Sequence, residues 1–122
     1  MTTPGKAKGA AFERAIMRVF NASGYPYVER RPAGATIDKG DLVGFAAPVL
    51  IECRNRNEQR LPAWAEEADL KAEAAWPDDP DAIGVCIAKR WGTADASRST
   101  VVMTMETFVR MLDVWLSVEG KP

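Results

Sequence analysis

Two short apolar runs with one helical segment between them set the frame of this chain. Residues 48–54 and 83–88 are β-rich and strongly apolar. Between them, Leu61, Trp64, Ala68, Ala72 and Ala75 mark the apolar face of a helix over 61–76, with Pro62 in its first turn, where proline is tolerated. A strand–helix–strand order of this kind closes as a right-handed crossover between parallel strands, which makes the fold α/β. The rest of the chain adds to that unit. Phe12, Ile16, Val19 and Phe20 predict a first helix over 6–22, stopped by Gly24. Residues 25–31 read as a strand ended by Pro32 and Gly34, and 33–40 as a turn-rich loop. Residues 41–45 and 48–54 read as a hairpin around Ala46 and Ala47. After a polar break at 77–81 and the strand at 83–88, residues 92–99 read as a mobile loop and 99–103 as a short strand. Thr104 caps a last helix carrying Phe108, Met111, Leu112, Trp115 and Leu116. The expected order is αβββαβ(β)α, a mixed β-sheet flanked by helices in a single domain over 1–122, with a flexible N-terminus at 1–5.

Composition narrows the chemistry. The 122 residues include no histidine, which removes imidazole as a base, a metal ligand or a pH switch. Two cysteines cannot hold a tetrahedral zinc ion by themselves. Cys53 and Cys86 both lie in apolar runs and read as buried thiols, the expectation for a reducing compartment. No apolar run is long enough to cross a membrane, and residues 1–9 lack the apolar segment of a signal peptide. The net charge of −1 argues against a nucleic-acid partner, yet it averages two unlike halves. Residues 1–60 carry a net +4 and residues 61–122 a net −5.

The basic half also holds an unusual strand. Along 49–54, side chains alternate, so Leu50, Glu52 and Arg54 share one face and Ile51 and Cys53 the other. If Ala46 and Ala47 form a two-residue turn, paired residue numbers sum to 93 and Asp41 lies opposite Glu52. Directly opposed carboxylates repel one another. A divalent cation relieves that repulsion, since Mg²⁺ takes carboxylate oxygens and keeps several waters. A slip of one residue would put the two carboxylates on different faces. Arg54 stands two residues from Glu52, placed to neutralise charge on a phosphate. Glu13 precedes Ile16, Met17 and Phe20 by three, four and seven residues and extends a partly inward face of the first helix by one turn.

Helix-Glu13, then Gly40-Asp41, then Glu52-Cys53-Arg54 on the next strand resembles the PD-(D/E)XK nuclease superfamily. The chain looks most like its archaeal-type Holliday junction resolvases. The resemblance runs over about residues 8–90, from Lys8-Gly9 and Phe12-Glu13-Arg14 through Asp41-Leu42-Val43 and Leu50-Ile51-Glu52-Cys53-Arg54 to Val85-Cys86-Ile87-Ala88-Lys89. It implies a restriction-endonuclease-like fold and Mg²⁺- or Mn²⁺-dependent hydrolysis of phosphodiesters. Glu13, Asp41 and Glu52 would then be metal ligands, with Arg54 at the position of the family's catalytic lysine. Arginine stays protonated, so it serves to orient phosphate and stabilise charge. Lys39 or Lys89 is the alternative source of an ammonium group.

The resemblance further implies branched DNA, above all the four-way junction, as partner. It implies a C2 homodimer matching the junction's symmetry, and a cytoplasmic setting in a bacterium or a phage-infected host. Lys6, Lys8, Arg30, Arg31, Lys39, Arg56, Arg60 and Lys89 are the candidate DNA contacts, of the kind that grip phosphate rather than read sequence. Trp91 is a candidate for stacking on a base or for ordinary packing. Two other readings fit the same residues: a catalytically impaired DNA-binding protein on this fold, or a non-enzymatic interaction module whose charged residues form a structural network.

Overall fold

The computed structural model describes residues 3–120. Its elements in chain order are α1 (Pro4–Ala22), β1 (Glu29–Arg30), β2 (Leu42–Val43), β3 (Val49–Arg54), α2 (Leu61–Ala75) and β4 (Ile83–Ala88). A 3₁₀ turn (Ala96–Arg98), β5 (Thr100–Val102) and α3 (Met105–Val118) complete it. The five strands form one mixed sheet in the order β1-β2-β3-β4-β5. Only the β3–β4 pair is parallel, and the other neighbours run antiparallel. This mixed sheet flanked by helices is the architecture expected from the sequence, and it is consistent with a restriction-endonuclease-like arrangement.

The two faces of the sheet are covered by different helices. On one face Phe12 and Ile16 of α1 pack on Leu42, Ile51, Cys53, Val85 and Ile87. Burying each large apolar side chain there contributes about 1.5–3 kcal/mol. On the other face Trp64 of α2 packs on Cys86 and Ala88. The alternation of β3 therefore sends Ile51 and Cys53 to α1 and leaves Leu50, Glu52 and Arg54 on the α2 side. The close seat of α2 depends on Gly84, because a Cβ there would run into the Ala68 carbonyl oxygen. On the next residue of α2, the Asp69 carboxylate accepts hydrogen bonds from the hydroxyls of Thr104 and Thr107, which ties α3 to it. Thr104 Oγ1 caps α3 by accepting from the Thr107 amide, as its place in the sequence predicts.

The strand boundaries differ from expectation in the first half. The strand expected at 25–31 shrinks to Glu29–Arg30, and the one expected at 41–45 to Leu42–Val43. The connection from β2 to β3 spans residues 44–48, wider than a two-residue turn. Gly44, at φ +105°, turns against the Tyr27 carbonyl there, a place with no room for a Cβ. The register survives this: Leu42 pairs with Ile51. The first helix starts at Pro4, so Pro4 and Gly5 of the expected flexible terminus are helical, and Met1 and Thr2 lie outside the described residues. A 3₁₀ turn stands within the loop expected to be mobile at 92–99.

Candidate metal and phosphate site

Asp41 enters the site through a tight link to β3. Gly40, at φ +94°, brings the chain so close to Ile51 that a Cβ would clash with its backbone. The Asp41 amide donates to the Ile51 carbonyl at 2.7 Å, and Asp41 Oδ2 accepts from the Cys53 amide at 2.8 Å. The Asp41 carboxylate is thus held against the middle of β3, beside Glu52. Glu52 is buried, at 2 % exposure. Its carboxyl pKa is raised, first by burial and then by the charge of Asp41, with the Lys71 ammonium opposing both.

Three oxygens converge on one guanidinium nitrogen. Arg54 Nη1 lies 3.1 Å from the Cys53 carbonyl oxygen, 3.2 Å from Glu52 Oε2 and 3.7 Å from Asp41 Oδ2. Arg54 Nη2 lies 3.6 Å from Glu67 Oε2 on α2. A cationic nitrogen therefore stands where two carboxylates and a main-chain carbonyl point together. That donor set suits Mg²⁺, which binds through one or two carboxylates and completes its shell with water.

Lys71 of α2 is the residue that reasoning from the sequence missed. Its Nζ lies 2.8 Å from Glu52 Oε1 and 3.5 Å from Asp38 Oδ2. Partial burial pulls the ammonium pKa down, but the hydrogen bond and charge of Glu52 outweigh it, so Lys71 is held more firmly protonated than usual. Its signal in the sequence is weak: it is one polar residue in the crossover helix, three residues after Ala68 on the apolar stripe. The lysines weighed for this role go elsewhere. Lys39 Nζ sits 5.5 Å from the Trp76 ring centre, and Lys89 Nζ sits 6.0 Å from that of Phe12. Asp38, hydrogen-bonded by the Gly40 amide and flanked by Lys71 and Arg31, has its carboxyl held below the usual range.

Glu13 is not brought to Asp41 and Glu52. It belongs to α1, across the sheet from Glu52, and pairs with Arg30 at 3.8 Å. The pairing follows from register: Arg30 lies opposite Leu42, whose side chain packs in the α1-side core. Among the described residues, no three His, Cys, Asp or Glu side chains gather as a metal-binding group. The two cysteines are buried thiols. Burial pushes Cys86 up to about 12 and Cys53 higher still, so neither is a nucleophile.

The basic residues spread along the carboxyl ends of β3 and β4 and the loop before β2. Arg31 binds Asp38 at 2.6 Å, and Arg60 pairs with Glu58 at 3.3 Å. Lys8 Nζ reaches Asn57 Oδ1 at 3.5 Å and lies 5.2 Å from the Trp91 ring centre. Lys6 and Arg56 are exposed. Trp91 is 48 % exposed rather than packed in the core. No helix among the described residues is long and apolar enough to cross a membrane. Comparison with protein-family models, with curated proteins and with solved structures found no match to this chain.

Proposed function

We propose that the protein is a metal-dependent endonuclease acting on branched DNA, of the Holliday junction resolvase type. The observation that carries this reading is the cradle of Asp41, Glu52 and the Cys53 carbonyl around a cation, with a second cation, Lys71, on the far oxygen of Glu52. Asp41, Glu52 and the Cys53 carbonyl would hold Mg²⁺ or Mn²⁺. When bound, that ion supplies Lewis-acid polarisation of a phosphoryl oxygen and an acidified water.

The chain's own groups supply the rest. Arg54 carries a long side chain whose second nitrogen already touches Glu67, so Glu67 offers the guanidinium a seat outside the cradle. From there it orients a phosphate in the two-pronged manner of arginine. Lys71, protonated, stabilises charge on the reacting phosphate rather than acting as a base. Glu52 is committed on both oxygens, one to the metal cradle and the other to Lys71, so its role is to hold the ion and to position Lys71. Glu13 serves by fixing Arg30 on the flank of the sheet. The exposed cations Lys6, Lys8, Arg56 and Arg60 grip the DNA backbone, with Lys89 at the edge of the same surface, whereas Lys39 lies beside Trp76 near the start of β3.

The test is cleavage of a labelled four-way junction and a matched linear duplex in Mg²⁺, Mn²⁺ or chelator. Metal-dependent cutting of the junction is expected, with Glu52→Ala and Lys71→Ala each lowering the rate by about 10²-fold or more. Tight junction binding with no cutting in either metal sinks the enzymatic reading. It would then favour the impaired DNA-binding protein, a reading supported by the arginine that fills the cradle.

A further inference from the structure

A second concave site opens at the carboxyl ends of the two parallel strands. Its volume is about 210 Å³, and Lys8, Phe12, Asn55, Lys89 and Arg90 are among the residues that line it. Asn55 directly follows β3, and Lys89 and Arg90 directly follow β4. The Lys89 amide donates to the Arg54 carbonyl at 2.9 Å, and Gln59 Nε2 donates to the Lys89 carbonyl at 2.7 Å. The floor is therefore pinned to the same strand ends as the Glu52–Arg54 site. In open α/β sheets, ligands bind outside the carboxyl ends of strands.

Two features of the pocket specify its ligand. Lys8, Lys89 and Arg90 are all cationic, and the one lining carboxylate, Asp95, is already engaged by the amide and hydroxyl of Ser97. An anion is called for. Asn55 Oδ1 is buried and has no hydrogen-bond partner, the only such side-chain atom among the described residues. Asn55 lines the pocket, so a donor for this oxygen is missing at the pocket wall. A bare phosphate diester has none. The N–H groups of a DNA base provide one, and a base can enter a pocket of this size only when it is unpaired. Beside the pocket, the exposed indole of Trp91, already in contact with the Lys8 ammonium, offers a ring for stacking.

The geometry points to a subsite for one unpaired deoxynucleotide, with its phosphate among Lys8, Lys89 and Arg90 and its base donating to Asn55. The assignment rests on the nuclease reading for its choice of DNA, and it adds that the preferred branch carries an unpaired nucleotide at its centre. Binding by fluorescence anisotropy in chelator tests it, using a fully paired four-way junction and the same junction with a three-nucleotide unpaired flap. The flapped junction is expected to bind at least 10-fold more tightly. Asn55→Leu and Arg90→Ser are each expected to reduce that ratio below threefold, with Asn55→Leu leaving the fully paired junction within twofold of wild type. Arg90 is exposed, so Arg90→Ser carries the test if Asn55→Leu does not fold. Equal affinity of the wild type for the two junctions, or a preference that survives the variants, overturns the subsite. Chelator keeps this result separate from cleavage: a flap preference without cutting in any metal sinks the nuclease alone, and cutting without a flap preference sinks the subsite alone.

Discussion

Glu52 is the residue at which function and stability pull apart. A carboxyl whose folded pKa lies above its ordinary 4.5 binds its proton more tightly in the folded chain than in the unfolded one. Its protonation therefore favours the fold, and the stability it lends is lost as pH rises through the raised value. Glu52→Gln removes this cost, although its amide NH2 then replaces the oxygen that accepts from Arg54 Nη1. The amide oxygen still accepts from Lys71, Lys71 keeps Asp38, and Arg54 keeps Asp41 and Glu67. In chelator, the stability of the variant relative to wild type is expected to improve as pH rises above 4.5, because only the wild type must give up that proton. The variant's thermal stability should also stay flat over the range above pH 4.5 where the wild type declines. Added Mg²⁺ should raise the Tm of the wild type and leave the variant unchanged. Scanning calorimetry at several pH values, with and without Mg²⁺, checks all three; a variant that loses stability relative to wild type as pH rises in chelator would show that ionised Glu52 supports the fold.

Among the elements, the β3–α2–β4 unit positions the site. It was legible from sequence because its signals are local: an apolar run, a helical stripe headed by Pro62, and a second apolar run. The register that sets Leu42 against Ile51 was legible too, although the turn assumed for it is wider in the structure. Gly84 sets how close α2, and with it Lys71, comes to Glu52. Gly84→Ala places a methyl group against the Ala68 carbonyl, so α2 must shift. The expected cost is about 3 kcal/mol in urea unfolding, with a loss of junction cleavage larger than any loss of junction binding. A variant as stable and active as wild type would show that α2 is free to move. The short β1 and β2 were less legible. Their bounds depend on the bend at Gly44 against Tyr27, a contact between segments that no local pattern reveals.

For the whole molecule, α3 is the element left without enough cover. Its polar residues Glu106, Arg110, Asp113 and Ser117 form one narrow stripe. Met105, Phe108, Val109, Met111, Val114, Trp115 and Val118 remain at least 38 % exposed. A helix apolar on most of its circumference belongs in an interior. Next to it lies an apolar groove of about 670 Å³ over the part of the sheet that α1 leaves bare, lined by residues including Tyr27, Phe45, Val85, Val101 and Met111. Ridge and groove adjoin at Met111, and a second copy related by a two-fold axis there would cover both, as an isologous dimer requires. The protein is expected to sediment at twice its 13.4 kDa chain mass. Trp115→Arg, at a site 58 % exposed in the single chain, should shift it to the monomer by at least 10-fold in dissociation constant. A wild type that is monomeric at micromolar concentration contradicts this assembly.

The order of elements, the parallel crossover and the register that sets Leu42 against Ile51 follow from the chain alone, because alternation and helical spacing act between near neighbours. So does the exclusion of imidazole chemistry. Tertiary structure decided the rest. It put Glu13 on α1 beside Arg30, and among the described residues no third carboxylate gathers with Asp41 and Glu52. It brought Lys71, nineteen residues from Glu52 in sequence, to 2.8 Å from its carboxylate. The seat of α2 on Gly84 is a contact between distant segments, and only the packed fold expresses it.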